Sequence, residues 1–197
     1  MKKLNALLAI LLFAVTTHAQ VEELNQRTAL FLDEVKSTFK VKSLNGSEPD
    51  YGVLIETEHV AHTHYQLKQI EKELNELGNK VRPTYNLSTF AYENEDELLY
   101  ALKFWFKNFI GGKRVTPGRD YRSVDHVDPA LIIIENNYIA ILTLSCYATD
   151  VDEFRDWRSR MLGVFGGPNS MVIEIGCDGP IEWTKNAPDP KDMKWRR

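Results

Sequence analysis

The chain has 197 residues, 43% of them hydrophobic, with a formal charge of −4 and two cysteines. That length suits one domain able to bury a sizeable core. The acidic balance argues against nucleic acid as a partner, because a negative surface repels the phosphate backbone unless basic residues cluster.

The first nineteen residues, MKKLNALLAILLFAVTTHA, place Lys2 and Lys3 before a short apolar run from Leu7 to Val15 and end on small residues. This is the layout of a secretory signal peptide over 1–19. The run is shorter than the roughly 20 residues needed to span a bilayer. No cysteine follows it, as a lipid anchor would require, and no later segment is long and apolar enough to cross a membrane. The expectation is a periplasmic or secreted protein that begins near Gln20. Removing 1–19 takes away two lysines and no acids, so the charge moves from −4 (24 minus 28) to −6 (22 minus 28).

Leu24, Phe31, Val35 and Phe39 recur at helical spacing and predict an amphipathic helix over 21–39. SLNGSEPD (43–50) reads as a loop, and YGVLIET (51–57) as a strand. HVAHTH (59–64) then holds three of the five histidines. Thr63-x-x-Gln66 has the pattern of a capping box. With Leu67, Ile70, Leu74 and Leu77 it predicts a second helix that ends at Gly78. TYNLSTFAY (84–92) is a second strand. ENEDELLYALKFWFKNFI (93–110) is the strongest helix pattern in the chain, acidic in its first turn and stopped by Gly111-Gly112. Its apolar residues cover more than one face, as in a helix that touches two layers; the sharper reading is an aromatic surface for a partner or lipid.

Residues 111–129 form a long segment without periodicity, of a length that is usually functional or disordered. ALIIIENNYIAILTLSC (130–146) predicts two strong strands around an Asn136-Asn137 turn. The uninterrupted LIII implies a strand covered on both faces. Asp150-x-x-Glu153 opens a helix that runs to about Val164, and MVIEIGC (171–177) is a last strand. Residues 187–197 read as a loose tail. The predicted class is α+β: a single mixed sheet of about five strands with about four packed helices in one domain over 20–186. A three-layer α/β arrangement is the alternative.

Strand parity puts Cys146 on the face of Leu142 and Leu144, and Cys177 on the face of Ile173 and Ile175. Both then point at the core, as a cross-strand disulfide requires. An exported protein meets the oxidising conditions that preserve one. Such a bridge closes a loop of about 31 residues, ideally worth about 3.5 kcal/mol in the chain-entropy view.

No nucleophile elbow, phosphate loop, dinucleotide fingerprint or paired CxxC occurs. Two constellations remain. His59 and His62 share a helix face at i and i+3, whereas His62 and His64 share a strand face, so regular backbone never directs all three at one ion. The 111–129 segment carries Lys113, Arg114, Arg119 and Arg122, of which the arginines offer paired donors for a carboxylate or phosphate. It also carries Asp125, His126 and Asp128, which are potential metal ligands.

Two functions follow. The first is an exported binding module that engages a protein or envelope component without a cofactor, in one form an inhibitor or immunity-type protein. The alternative is a zinc-dependent hydrolase in which Asp125, His126 or Asp128 completes a site begun by His59 and His62. The two are separated by whether residues 59 and 62 share a cleft with 125–128.

Overall fold

The computed structural model describes residues 20–44, 52–74, 78–124, 127–147 and 149–192. Its centre is the hairpin of β6 (Ala130–Glu135) and β7 (Tyr138–Thr143). Asn136 sits between them at φ +49°, the left-handed conformation that a tight turn needs and asparagine tolerates. Every residue of β6 is buried. Alternation sends Ile132, Ile134, Ile139 and Ile141 into one core and Leu131, Ile133, Ala140 and Leu142 into another. The continuous apolar run is what a strand buried on both faces requires.

Seven strands build the sheet in the order β1-β2-β5-β7-β6-β8-β9, with β1 at Phe39–Ser43, β2 at Ala61–Gln69, β5 at Thr84–Ala91, β8 at Met171–Ile175 and β9 at Ile181–Lys185. All its pairings are antiparallel. A separate two-stranded hairpin pairs β3 (Glu73–Leu74) with β4 (Lys80–Val81). On one face lie α1 (helical over 20–35) and α4 (Val151–Phe165), which contribute Leu24, Phe31, Val35, Trp157, Met161 and Phe165. On the other lie α2 (Gly52–Glu56) and α3 (Glu95–Trp105), which contribute Leu54, Leu98, Leu102 and Trp105. Asp150 caps α4 by accepting from the Glu153 N–H at 2.8 Å, as its sequence predicts. Asn94 does the same for α3 through the Glu97 N–H at 3.0 Å.

The class is α+β, and the sheet differs from the expected one in count and direction. Two exchanged elements explain this. The 51–57 stretch predicted as a strand supplies the short helix α2, whose Leu54 plugs the core at 0% exposure. The predicted second helix is β2, followed by β3. Of its supposed stripe only Leu67 is buried, whereas Ile70 is 39% and Leu74 67% exposed, and Leu77 lies outside the described residues. The Thr63-to-Gln66 capping box does not form. Thr63 instead bonds side chain to side chain with its cross-strand partner Thr89 at 2.7 Å. With a strand where a crossover helix was expected, no parallel neighbours arise. Phe39, assigned to the first helix by spacing, starts β1, and β9 adds a strand that the sequence reading did not include.

Residues 113–124 fold along the far edge of the sheet. Tyr121 donates its N–H to Ile181 O at 2.9 Å and accepts the Ile181 N–H at 2.8 Å, while Asp120 Oδ1 accepts the Trp183 N–H at 2.9 Å. Cys146 and Cys177 are joined, with Cα atoms 5.3 Å apart. The bridge lies outside both cores: Cys146 is half-buried and Cys177 exposed. Both follow the last residues of their strands, where alternation no longer fixes a face.

Because Ile141 is fully buried on a central strand, Ile141→Ala should lower unfolding free energy by about 4 kcal/mol in urea titration. Leu30→Ala, at a position 62% exposed on α1, should change it by no more than about 0.5 kcal/mol.

Candidate functional site

The site grows from the junction of α2 and β2. The Thr57 hydroxyl donates to Leu54 O at 2.9 Å and closes the end of α2. His59 Nδ1 lies 2.9 Å from Thr57 O. A carbonyl only accepts, so Nδ1 carries the proton and, in the neutral ring, Nε2 is the basic nitrogen. The chain then enters β2, whose even residues point toward the α2–α3 layer. His62 pairs with Phe90 and His64 with Ser88 across the β2–β5 ladder. The His62 ring lies flat on Phe90, centroids 4.4 Å apart and planes inclined by 12°. His59 meets both rings edge-on at 5.9 Å.

These contacts determine the protonation of His62. Its Nε2 is sealed from solvent and has no hydrogen-bond partner among the described residues. Burial, reinforced by the neighbouring imidazoles of His59 and His64, pushes its pKa down to about 4. The ring is therefore neutral at ordinary pH and packs as an aromatic body. His64 is 6% exposed in the same layer.

Beside the histidines an open cleft of about 430 Å³ separates α2 from α3. Glu56, Thr57 and Glu58 form one wall, and Glu97, Tyr100 and Phe104 the other. The last three recur at i, i+3 and i+7 and share one face of α3. Tyr100 is 56% and Phe104 40% exposed, and their rings pair at 4.8 Å. Lys107 lies 4.8 Å over the Phe104 ring. None of the three carboxylates forms an ion pair among the described residues. Exposed aromatic rings beside unpaired carboxylates can hold a cation by charge and by ring quadrupole together.

The cleft residues were not candidates from the sequence. The 97/100/104 stripe was present in it, but it was masked by a helix whose other faces are also apolar. Asp125 and His126 lie outside the described residues. Asp128 is exposed, two residues before β6. The register sets Asp128 apart from the histidines. Ala130 is level with Thr143, Asn86 and Gln66, whereas His62 lies four residues further along β2. With three strand spacings also between them, Ala130 and His62 are roughly 19 Å apart. Asp128 therefore shares no cleft with His59 and His62. Among the described residues no group of three or more His, Cys, Asp or Glu is arranged to hold a metal ion.

The basic candidates sit near the opposite edge. Lys113 and Arg119 lie 5.3 and 5.6 Å from the Tyr121 ring centroid, and Arg119 O accepts the Trp183 indole N–H at 3.1 Å. Arg114 and Arg122 are exposed and form no ion pair among the described residues.

A histidine whose folded pKa is depressed stabilises the fold fully above its unfolded value near 6.5 and loses that contribution as pH falls. Stability should therefore decline between about pH 6.5 and 4. Discounted for the open side of the ring, the loss should be on the order of 1–2 kcal/mol. His62→Phe, which keeps an aromatic ring on Phe90, should flatten this part of the acid profile in chemical denaturation. Comparison with family models, characterised proteins and solved structures found no match to this chain.

Proposed function

We propose that this is an exported binding module that engages a protein partner through the cleft between α2 and α3, and that the recognised groups on that partner are lysine or arginine side chains. The observation that carries the reading is the exposed Tyr100–Phe104 pair in one cleft with Glu56, Glu58 and Glu97, none of which forms an ion pair among the described residues. Aromatic anchors supply contact area at low entropic cost, and unpaired carboxylates supply charge selection. The export component rests on the signal-peptide pattern of residues 1–19, and the disulfide is compatible with it. Inhibition of an enzyme in the envelope, with the cleft over a basic surface, is one form that this binding takes.

Peptides test the reading directly. A lysine- and arginine-rich peptide that carries one tryptophan should bind in the micromolar range, weakening as salt rises. Glu56→Lys combined with Glu97→Lys, or Tyr100→Ala combined with Phe104→Ala, should weaken binding by about tenfold or more while the protein stays folded at the assay temperature. An acidic peptide with the same tryptophan should not bind. Equal binding of both peptides, or of neither, would remove the proposal. For export, N-terminal sequencing of material recovered outside the cytoplasm should begin at or near Gln20.

A further inference from the structure

We propose that the Cys146–Cys177 bond is a thiol-exchange site, and that its reduction by a dithiol releases the turns at one end of the sheet and leaves the sheet folded. The argument begins with where the bond lies. Cys146 follows β7 and Cys177 follows β8, and β6 runs between those two strands. Ala130, the first residue of β6, pairs with Thr143 on one side and Ile175 on the other, so all three strands meet at this end. The disulfide thus closes over the residues that lead into β6. Cys146 Sγ lies 3.7 Å from Val127 O. The turn that carries Cys177 holds the same segment. Asp178 donates its N–H to Val127 O at 3.0 Å, and Asp178 Oδ1 accepts the Val127 N–H at 3.3 Å.

Access is the second observation. Cys177 is exposed and lines an open cleft of about 410 Å³ with Pro129, Phe154, Arg155, Arg158 and Pro180. Cys146 is not part of the cleft wall. An incoming thiolate must approach along the S–S axis, and Cys177 is the more exposed of the two residues and the one that lines the cleft, so attack there makes Cys146 the leaving group. The wall also carries Asp150, Glu174 and Glu182, so charges of both signs surround the approach.

The chemistry balances with an external dithiol as reductant. Its thiolate attacks Cys177 Sγ and a new S–S bond forms as the Cys146–Cys177 bond breaks. Cys146 leaves as thiolate and takes a proton from water. The second thiol of the reductant, as thiolate, then displaces Cys177, which is protonated in turn. Two electrons pass to the cystine, and the reductant ends as a disulfide.

The third observation concerns what remains. Neither cysteine belongs to a core cluster, while the flanking strands bury Ile139, Ile141, Leu142, Val172, Ile173 and Ile175 at no more than 1% exposure. Sheet packing therefore does not depend on the sulfurs; what the bond adds is a covalent tie between the turns after β7 and β8, beside the hydrogen bonds that join Leu144 to Pro129 and Asp178 to Val127.

The test uses the full chain and millimolar dithiothreitol, with thiol labelling and hydrogen exchange read by mass spectrometry. Reduction should proceed without denaturant. Amide exchange in 127–129, 144–147 and 176–180 should then rise by about tenfold or more, while 131–134 and 139–142 stay protected. The Cys146→Ser/Cys177→Ser double variant should reproduce that pattern. A bond that is cut only after unfolding, a sheet that loses protection together with the bond, or turns whose exchange is unchanged after cleavage would each overturn the proposal.

Discussion

The pairing of β6 with β7 is the constraint on which the other elements depend. Each strand carries aliphatic side chains on both faces, so neither face can be left to water. At about 25 cal/mol per Å² of apolar area, exposing either face would cost many kcal/mol. Two helical layers are the physical answer. α1 and α4 cover the side of Leu131, Ile133 and Leu142, and α2 and α3 cover the side of Ile132, Ile134 and Ile141. Short α2 is tolerated as a helix because Leu54 docks it there.

This two-sided burial also explains the histidine stretch. β2 lies one strand from the sheet edge and its even residues still face the α2–α3 layer. A charged group in that position would be desolvated without compensation. His62 escapes the cost by staying neutral and lying flat on Phe90. His62 works there as packing material whose polarity depends on pH, and the carboxylates gather nearby in the cleft.

Much of the fold was legible where the local signal and the burial pattern agreed. α1, the β6–β7 hairpin with its Asn136 turn, and α4 with its Asp150 cap all carry strong local signals. The cysteine pair was also expected, but strand parity placed it on the core face, whereas both residues lie past the strand ends and outside both cores. β2 was not. The face it turns to α2 carries His62, His64, Gln66 and Lys68 instead of aliphatic residues, so the period-two pattern was muted while Leu67, Ile70 and Leu74 imitated a helix. Strands β1 and β5 on either side decided its state through ladder bonds that no local window contains. The cleft was hidden for a related reason. Glu56 and Glu58 reach Glu97 and Tyr100 only because α2 is a helix, and its sequence had read as a strand.

The two rims of the sheet have opposite finishes, and this bears on how the protein behaves in crowded solution. Along β9 the bonding groups that would invite another chain are occupied in part by Tyr121 and Asp120, so a foreign strand must first displace residues of this one. Along β1 the outer rim carries Lys40 and Lys42, both exposed. A strand laid there meets two ammonium groups that it must desolvate or match with acids. Sheet growth by end-to-end stacking is opposed sterically on one rim and electrostatically on the other. Both rims of this isoleucine-rich antiparallel sheet thus carry a feature that opposes the addition of a foreign strand.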